Sequence, residues 1–310
     1  MEKTMTSWML LTLLLGVILV SSCKKNWLNA KPSKSLVVPA NVADYQALLD
    51  NTDMMNVQAP TLSMVGDGDY FIKDATYNAL GSPYEKGAYV WAATADFYGG
   101  QSNADWLVAY GRILQDNVVL DGLSSLNPEP VDDGGYSNVK GSALFYRSFD
   151  FYCLSQQYCK TYKVETATTD LGLPLRISSN VNVSLGRSSL QQTYDRMIND
   201  LLLACKLLPN ASLYPTRPSK VAAYGLLSRI YLSQENYGKA LTYADSCLQL
   251  QNALINYNEL STSVSAPLAL FNKEVIFHTQ LGSYKKIKIN LIFNCKWHCH
   301  TGFVSVIFSK

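Results

Sequence analysis

The sequence predicts a mainly α protein, built from tetratricopeptide-like helical hairpins joined by long irregular loops, and three observations carry that expectation. Apolar residues recur at helical spacing over Asp105–Leu126 and again over Lys140–Tyr158. A compact helix–turn–helix pattern follows Pro218, with Gln234-Glu235-Asn236-Tyr237-Gly238 between its arms. Finally, Ala143, Phe145, Tyr152 and Tyr158 return 79 residues later as Ala222, Tyr224, Tyr231 and Tyr237. Two units of a roughly 34-residue helical repeat plus an insertion would give that offset.

Composition narrows the function classes. At 310 residues the chain can bury a sizeable core, as one large or two modest domains. Charged residues make up only 16% while Tyr occurs 20 times, a balance that suits a binding face of rings able to stack and hydrogen-bond. The net charge of +2 comes from residues 282–310, which hold Lys285, Lys286, Lys288, Lys296 and Lys310 and no acid. The remainder is mildly acidic, and no clustered basic face marks a nucleic-acid partner. Of the seven cysteines, Cys153, Cys159, Cys205 and Cys247 fall in helical apolar patterns, as small core residues rather than a disulfide framework.

Taken in order, Met9–Val20 is an apolar run behind Lys3, too short for the roughly 20 residues a spanning helix needs, and it ends at Val20-Ser21-Ser22-Cys23. It reads as a signal peptide, residues 1–22. The small residues before Cys23 resemble a lipobox, after which the mature chain would begin at an acylated Cys23. Residues 23–35 read as a polar tether containing Pro32. Asn41 then serves as N-cap of an amphipathic helix, with Asp44 at its positive end and Val42, Tyr45, Leu48 and Leu49 on one face.

Periodicity fails from Asn51 to Gly87, where turn formers crowd in, so this is expected to be a long irregular loop. Asp67-Gly68-Asp69 reads as a turn, since a calcium loop would need further ligands and a closing Glu. An aromatic-dense stretch follows, and Tyr70, Tyr84, Trp91, Phe97 and Tyr98 lie outside clear helical stripes and close to irregular loops. They are the candidate ligand face; the alternative is that they are buried core, where Trp106 is assigned. Trp106, Tyr110, Ile113, Leu114, Asn117, Val118, Leu120 and Leu123 give the next helix its stripe, and Asn127–Gly135 is a linker. After the insertion Thr161–Gly186, Ser188 and Gln191 form a capping-box pair before a helix with Leu190, Tyr194, Met197, Ile198, Leu201, Cys205 and Leu208 on one side. Pro218 suits the first position of a helix over Ser219–Ser233, and a second runs over Lys239–Gln251. From the turn into that second helix, Tyr237, Ala240, Tyr243, Ala244 and Leu248 alternate small with large.

Several segments in this order resemble one family. Cys23 followed by Trp27-Leu28-Asn29-Ala30-Lys31-Pro32, then Val42 to Asp50, is similar to the start of SusD/RagB nutrient-uptake lipoproteins, where a lipobox cysteine precedes an "FLD-x-KP" segment and a helix. Trp106 to Leu120 resembles the family's "W…Y…I…N-x-V-L" helix, Gly172-Leu173-Pro174-Leu175 its "GIPL" loop, and Asn272 to Phe277 its "N-x-EVIF" strand. The resemblance implies a SusD-like α-α superhelix over residues 36–281, anchored by lipid on Cys23 to the outer membrane and exposed at the cell surface. It implies a protein that binds oligosaccharide or peptide nutrients and passes them to a SusC-like TonB-dependent transporter. Residues 282–310, acid-free and without helical or strand period, are expected to be an atypical tail, as of a truncated or frame-shifted product. Two further readings fit the same residues: a lipid-anchored helical-repeat adaptor for protein partners, and a nonfunctional truncated member of the family.

Catalytic and cofactor chemistry is not expected. All three histidines lie at or beyond position 278, which removes His-based acid/base catalysis from the body. The acids Asp67, Asp69, Asp74, Asp132 and Asp133 sit in turn-rich segments, where carboxylates serve the backbone. No nucleophile elbow, phosphate loop or zinc-helix motif occurs. Cys295, His298, Cys299 and His300 are spaced too tightly for a tetrahedral zinc site and read as chance.

Overall fold

The computed structural model describes residues 39–60, 62–66, 71–93, 97–126, 135–261, 263–264, 267–280, 296–300 and 303–307. The expected signal peptide, lipobox and tether, the Asp67-Gly68-Asp69 turn, Tyr70 and most of the 127–135 linker lie outside them. Ten α-helices carry the described body: α1 Val42–Leu49, α2 Thr52–Met55, α3 Leu62–Val65, α4 Asp74–Asn78, α5 Pro83–Tyr89, α6 Ala104–Ser124, α7 Gly135–Tyr158, α8 Leu190–Leu207, α9 Lys220–Ser233 and α10 Tyr237–Leu250. Each of α6 to α10 packs on the next in chain order, the serial stacking of a helical-repeat superhelix, and α1 leans on α6 and α7. The expected fold class is the one observed. Among the described residues no helix is long and apolar enough to cross a membrane.

Helix α7 is the axis. Every residue from Gly141 to Tyr152 is buried, so the helix is enclosed on all sides and not on one stripe. Phe145, Phe151 and Leu154 are fully buried, and Phe277 returns from far along the chain to meet Phe145 edge-on at a centroid distance of 4.9 Å. The helix also buries Arg147 and Asp150, whose charges are matched across helices. Arg112 of α6 donates from Nε to Asp150 Oδ2 at 2.9 Å, and Arg147 donates from Nε to Asp200 Oδ2 of α8 at 2.8 Å. These two pairs are almost wholly removed from water, where loss of one partner costs about 3–5 kcal/mol.

Several boundaries differ from the sequence reading, each for a physical reason. Asn51–Gly87 is not one irregular loop but holds α2, α3, α4 and most of α5. These helices have four to seven residues, one or two turns, too short to repeat an apolar face. Helix α7 begins at Gly135, five residues before the apolar pattern does. The capping box is Ser189 with Gln192, one residue on from the expected pair. Ser188 is still in extended pairing, its backbone N–H on Leu173 and its carbonyl on Gly172, so Ser189 is the first residue free to cap. Ser219, not Pro218, opens α9 by accepting from Ala222 N.

Cys159 lies one residue beyond the end of α7. The buried face of α6 centres on Ala109, Ile113, Asp116 and Val119, while Trp106, Leu114 and Val118 are only half-buried. The 79-residue echo spans one hairpin, α7 with α8, stretched by the insertion; Ala143, Phe145 and Tyr152 match Ala222, Tyr224 and Tyr231 within first helices. Tyr237, however, opens α10 and is exposed. Asn272–His278 is a run of turns and not a strand: its buried Val275 and Phe277 dock as side chains, and its long-range backbone bonds come only at the end, from His278 N to Pro215 O and between Gln280 and both Asn56 and Ala59. In the tail, β1 Lys296–His300 pairs antiparallel with β2 Phe303–Ile307, Cys299 opposite Val304. Val304, Val306 and Ile307 supply the β-branched residues that the composition-based reading of the tail passed over.

Among the described residues one buried carboxyl makes no hydrogen bond. Asp116 of α6 is fully buried, and neither carboxylate oxygen has a hydrogen-bond partner. Burial first, and the neighbouring Asp150 carboxylate second, hold its carboxyl well above the usual range against the pull of Arg147 and Arg112. An acid whose folded-state pKa is raised stabilises the fold below its unfolded pKa, and that contribution is lost as pH rises through the folded value. Replacing Asp116 by Asn, which stays neutral, is therefore expected to raise Tm, with the gain over the parent protein widening from pH 5 to pH 8 in differential scanning calorimetry.

Candidate functional site

The aromatic stretch converges on a cavity of about 390 Å³ lined by residues of α3 and Gly66 after it, by residues of α5, by Trp91, Ala92, Phe97 and Tyr98, and by the last turn of α7. Local sequence builds its rim. Ser82 accepts from Glu85 N and Pro83 sits in the first turn of α5, so the helix starts sharply. Gly87 then lets the Phe97 ring close in: a Cβ there would stand 3.2 Å from Phe97 Cε2. After α5 the chain turns at Trp91, which holds φ +53°, a left-handed conformation that costs a non-glycine residue on the order of 1–3 kcal/mol. The turn is fixed by Trp91 N on Ala88 O at 3.3 Å and Ala92 N on Gly87 O at 2.9 Å. Its product is an indole at the mouth of the cavity with 79% of its surface exposed. A strained turn that presents a large apolar ring to solvent marks a functional position more than a packing one.

The inner wall is a hydrogen-bonded chain. Tyr98 Oη lies 2.8 Å from Tyr158 Oη, and Tyr158 donates to Asn103 Oδ1 at 2.7 Å. Gln157 Nε2 donates to Tyr158 Oη at 2.8 Å and to Asp105 Oδ2 at 3.1 Å. Asn103 also caps α6 by accepting from Trp106 N, and Asp105 Oδ2 accepts from Leu62 N of α3. The wall is thus tied to the start of α6, to α3 and to the end of α7 at once. Trp106 meets Tyr158 edge-on at 5.1 Å, and Tyr84 lies 5.6 Å from Tyr98 on its other side. Burial raises the Tyr98 and Tyr158 phenols above their ordinary value, and Asp105 pushes both further in the same direction. Both rings are neutral hydrogen-bonding groups at any ordinary pH.

Of the residues expected from sequence, Trp91, Phe97 and Tyr98 line this cavity together, Tyr84 supports it from behind Tyr98, and Tyr70 and Cys23 lie outside the described residues. The rings differ in exposure: Phe97, Tyr98 and Tyr84 are half-buried while Trp91 is open. Sequence reasoning missed Leu62, Ser63, Gln156, Gln157 and Tyr158. The pair Gln156-Gln157 closing the helix just before Tyr158 was the available signal. Among the described residues no group of three or more His, Cys, Asp or Glu is placed to hold a metal ion.

A family model described as "Starch-binding associating with outer membrane", SusD-like, matches residues 26–232. The SusD-like protein P2 of Formosa agariphila is 25% identical over 141 residues, 46% of this chain and 26% of that protein. A solved SusD superfamily protein of Bacteroides fragilis superposes with a TM-score of 0.62 at 20% identity, over 79% of this chain and 57% of that one. A SusD-like carbohydrate binding protein of Bacteroides vulgatus does so with a TM-score of 0.56 at 21% identity, over 77% and 51%. The chain therefore spans little more than half the length of these solved relatives, and about a quarter of the curated one.

The cavity's shape depends on close approach of α3 and α5. A Cβ on Gly66 would stand 2.6 Å from Ala88 O, a backbone atom that cannot swing aside. Gly66→Ala is expected to lower stability by about 1–3 kcal/mol in urea unfolding, through displacement of α5 and the Trp91 turn.

Proposed function

The chain belongs to the SusD-like family, and from that membership and the aromatic cavity we propose that it captures oligosaccharides at the outer membrane and passes them on intact to a SusC-like TonB-dependent transporter. The observation that carries this reading is the Trp91 indole, held exposed by a strained turn beside a neutral hydrogen-bonding wall. A pyranose has one apolar C–H face, which can lie on the indole, and a rim of hydroxyls, which can meet Tyr98 and Gln156. The cavity of about 390 Å³ suits one or two sugar rings of a longer chain. Among the described residues no acid, histidine or nucleophilic cysteine lines it, in keeping with a site that grips its ligand without breaking a bond.

Attachment to the membrane is assigned to acylation of Cys23, at the end of the short apolar run before the tether. A peptide ligand is the second reading, since rings and amides serve peptides too; it is favoured only by the same rings and so ranks behind.

Two measurements test these assignments. Isothermal titration against starch-derived and other neutral oligosaccharides is expected to show binding that Trp91→Ala weakens at least about tenfold, roughly 1.4 kcal/mol, with Tm unchanged because the ring packs on little. Unchanged affinity in the variant, or binding of peptides alone, would overturn the carbohydrate reading. Growth on a labelled fatty acid is expected to mark the parent protein and leave Cys23→Ala unlabelled and released from the membrane fraction.

A further inference from the structure

The polarity of the cavity wall can be read one hydrogen at a time. Asn103 Oδ1 accepts from Trp106 N–H, a group that can only donate, so the amide orientation of Asn103 is set. Tyr158 gives its single hydroxyl hydrogen to that same oxygen. Its contact with Tyr98 at 2.8 Å must therefore use a Tyr158 lone pair, and Tyr98 is the donor. With its hydrogen spent inward, Tyr98 Oη can only accept from whatever enters the cavity. Gln157 is set in the same manner. Its Nε2 faces the Asp105 carboxylate, which can only accept, so its Oε1 is turned the other way, where it is buried and accepts no hydrogen bond. Gln156 spends its Nε2 on Tyr194 Oη at 3.2 Å and Ser155 Oγ at 3.4 Å. Tyr98 and Gln156 thus offer oxygen lone pairs to the cavity, while the Gln157 oxygen adds a buried, unsatisfied acceptor behind them. Among the described lining residues the neutral side-chain donors that remain are at the rim, the Trp91 indole N–H and the Ser63 hydroxyl.

Charge points the same way. No Lys, Arg or His is among the described lining residues, and the buried Asp105 carboxylate lies directly behind Gln157. A carboxylate or sulfate entering here would lose water, meet lone pairs in place of donors, and face a like charge through a poorly screened wall. A hydroxyl would donate inward to Tyr98 and accept from Trp91 at the rim.

Resting on the carbohydrate reading above, we propose that this site is specific for uncharged, hydroxyl-donating saccharides and excludes their carboxylated and sulfated counterparts, with Tyr158 and Asp105 as the residues that set this polarity without themselves stacking on the sugar. The discrimination is a penalty against the wrong ligand as much as a gain for the right one.

The test uses the full chain and an array of neutral oligosaccharides, each paired with the same oligosaccharide oxidised to the uronate at C6. At low ionic strength the neutral member of the best-bound pair is expected to bind at least about tenfold more tightly than its uronate. Asp105→Asn keeps an acceptor for Leu62 N and removes the charge, and is expected to narrow that ratio. Tyr158→Phe removes the acceptor for the Tyr98 hydroxyl hydrogen, freeing it to donate into the cavity, and is expected to narrow it as well. A purely structural role for either residue would lower affinity for both members together and leave the ratio where it was, which would overturn the assignment. Equal or tighter binding of the uronates by the parent protein would overturn the selectivity while leaving saccharide capture intact. Binding of neither class would bring down both.

Discussion

Helix α7 is surrounded, and the rest of the structure follows from what that requires. A helix enclosed on every side cannot send Arg147 and Asp150 to water, so their partners must come from the elements packed against it. Arg112 from α6 and Asp200 from α8 meet that need, one on each flank. Each pair fixes more than two helices. Arg112 also donates from Nη1 to the carbonyl oxygens of Val57 and Gln58 at 3.0 and 3.3 Å, which pins the segment leading into α3. Arg147 donates to Asn117 Oδ1, and Asn117 in turn donates to the carbonyls of Arg176 and Ser178, which pins the long insertion against α6. Buried ion pairs contribute little net stability compared with apolar replacements, but here they decide which irregular segment lies where.

That division explains what could be read from the sequence. The long helices were legible because each repeats an apolar position over several turns, as Leu190, Tyr194, Met197 and Leu201 do in α8. The cap at Asn41 was legible because its partner, the backbone N–H of Asp44, is three residues away. What stayed hidden depends on pairing across the chain. Nothing local distinguishes Arg112 and Asp116 from solvated helix charges, since their burial is set by α7 from the opposite side. The one-residue slip of the capping box has the same origin: Ser188 and Ser189 are both competent caps, and the choice is made by the backbone of Gly172 and Leu173.

The cavity was half legible for the same reason. Its rim is a continuous stretch, and the density of rings from Tyr84 to Tyr98 announces it. Its wall is not. Gln157 and Tyr158 belong to the last turn of α7, about sixty residues further on, and their role follows only once Asn103 and Asp105 at the start of α6 are brought against them. A sequence shows that aromatic groups are available; it takes the fold to show which atoms between them carry hydrogens outward and which do not.

Helix α7 therefore links scaffold and site in a single element. Its middle is held by the two ion pairs, and its final turn, a continuation of the same rigid rod, carries Gln157 and Tyr158 into the cavity. Groups mounted on a buried helix lose little further freedom when a ligand arrives, so the wall is preorganised before binding. The Trp91 turn is the opposite case, a strained and exposed segment secured by few contacts. A ligand gripped between them would meet one fixed surface, which decides what chemistry is admitted, and one adjustable ring, which can settle on sugars of different linkage. Under the proposed function, in which a polymer is held and then released unbroken, strict polarity with lenient shape is the combination that serves both steps.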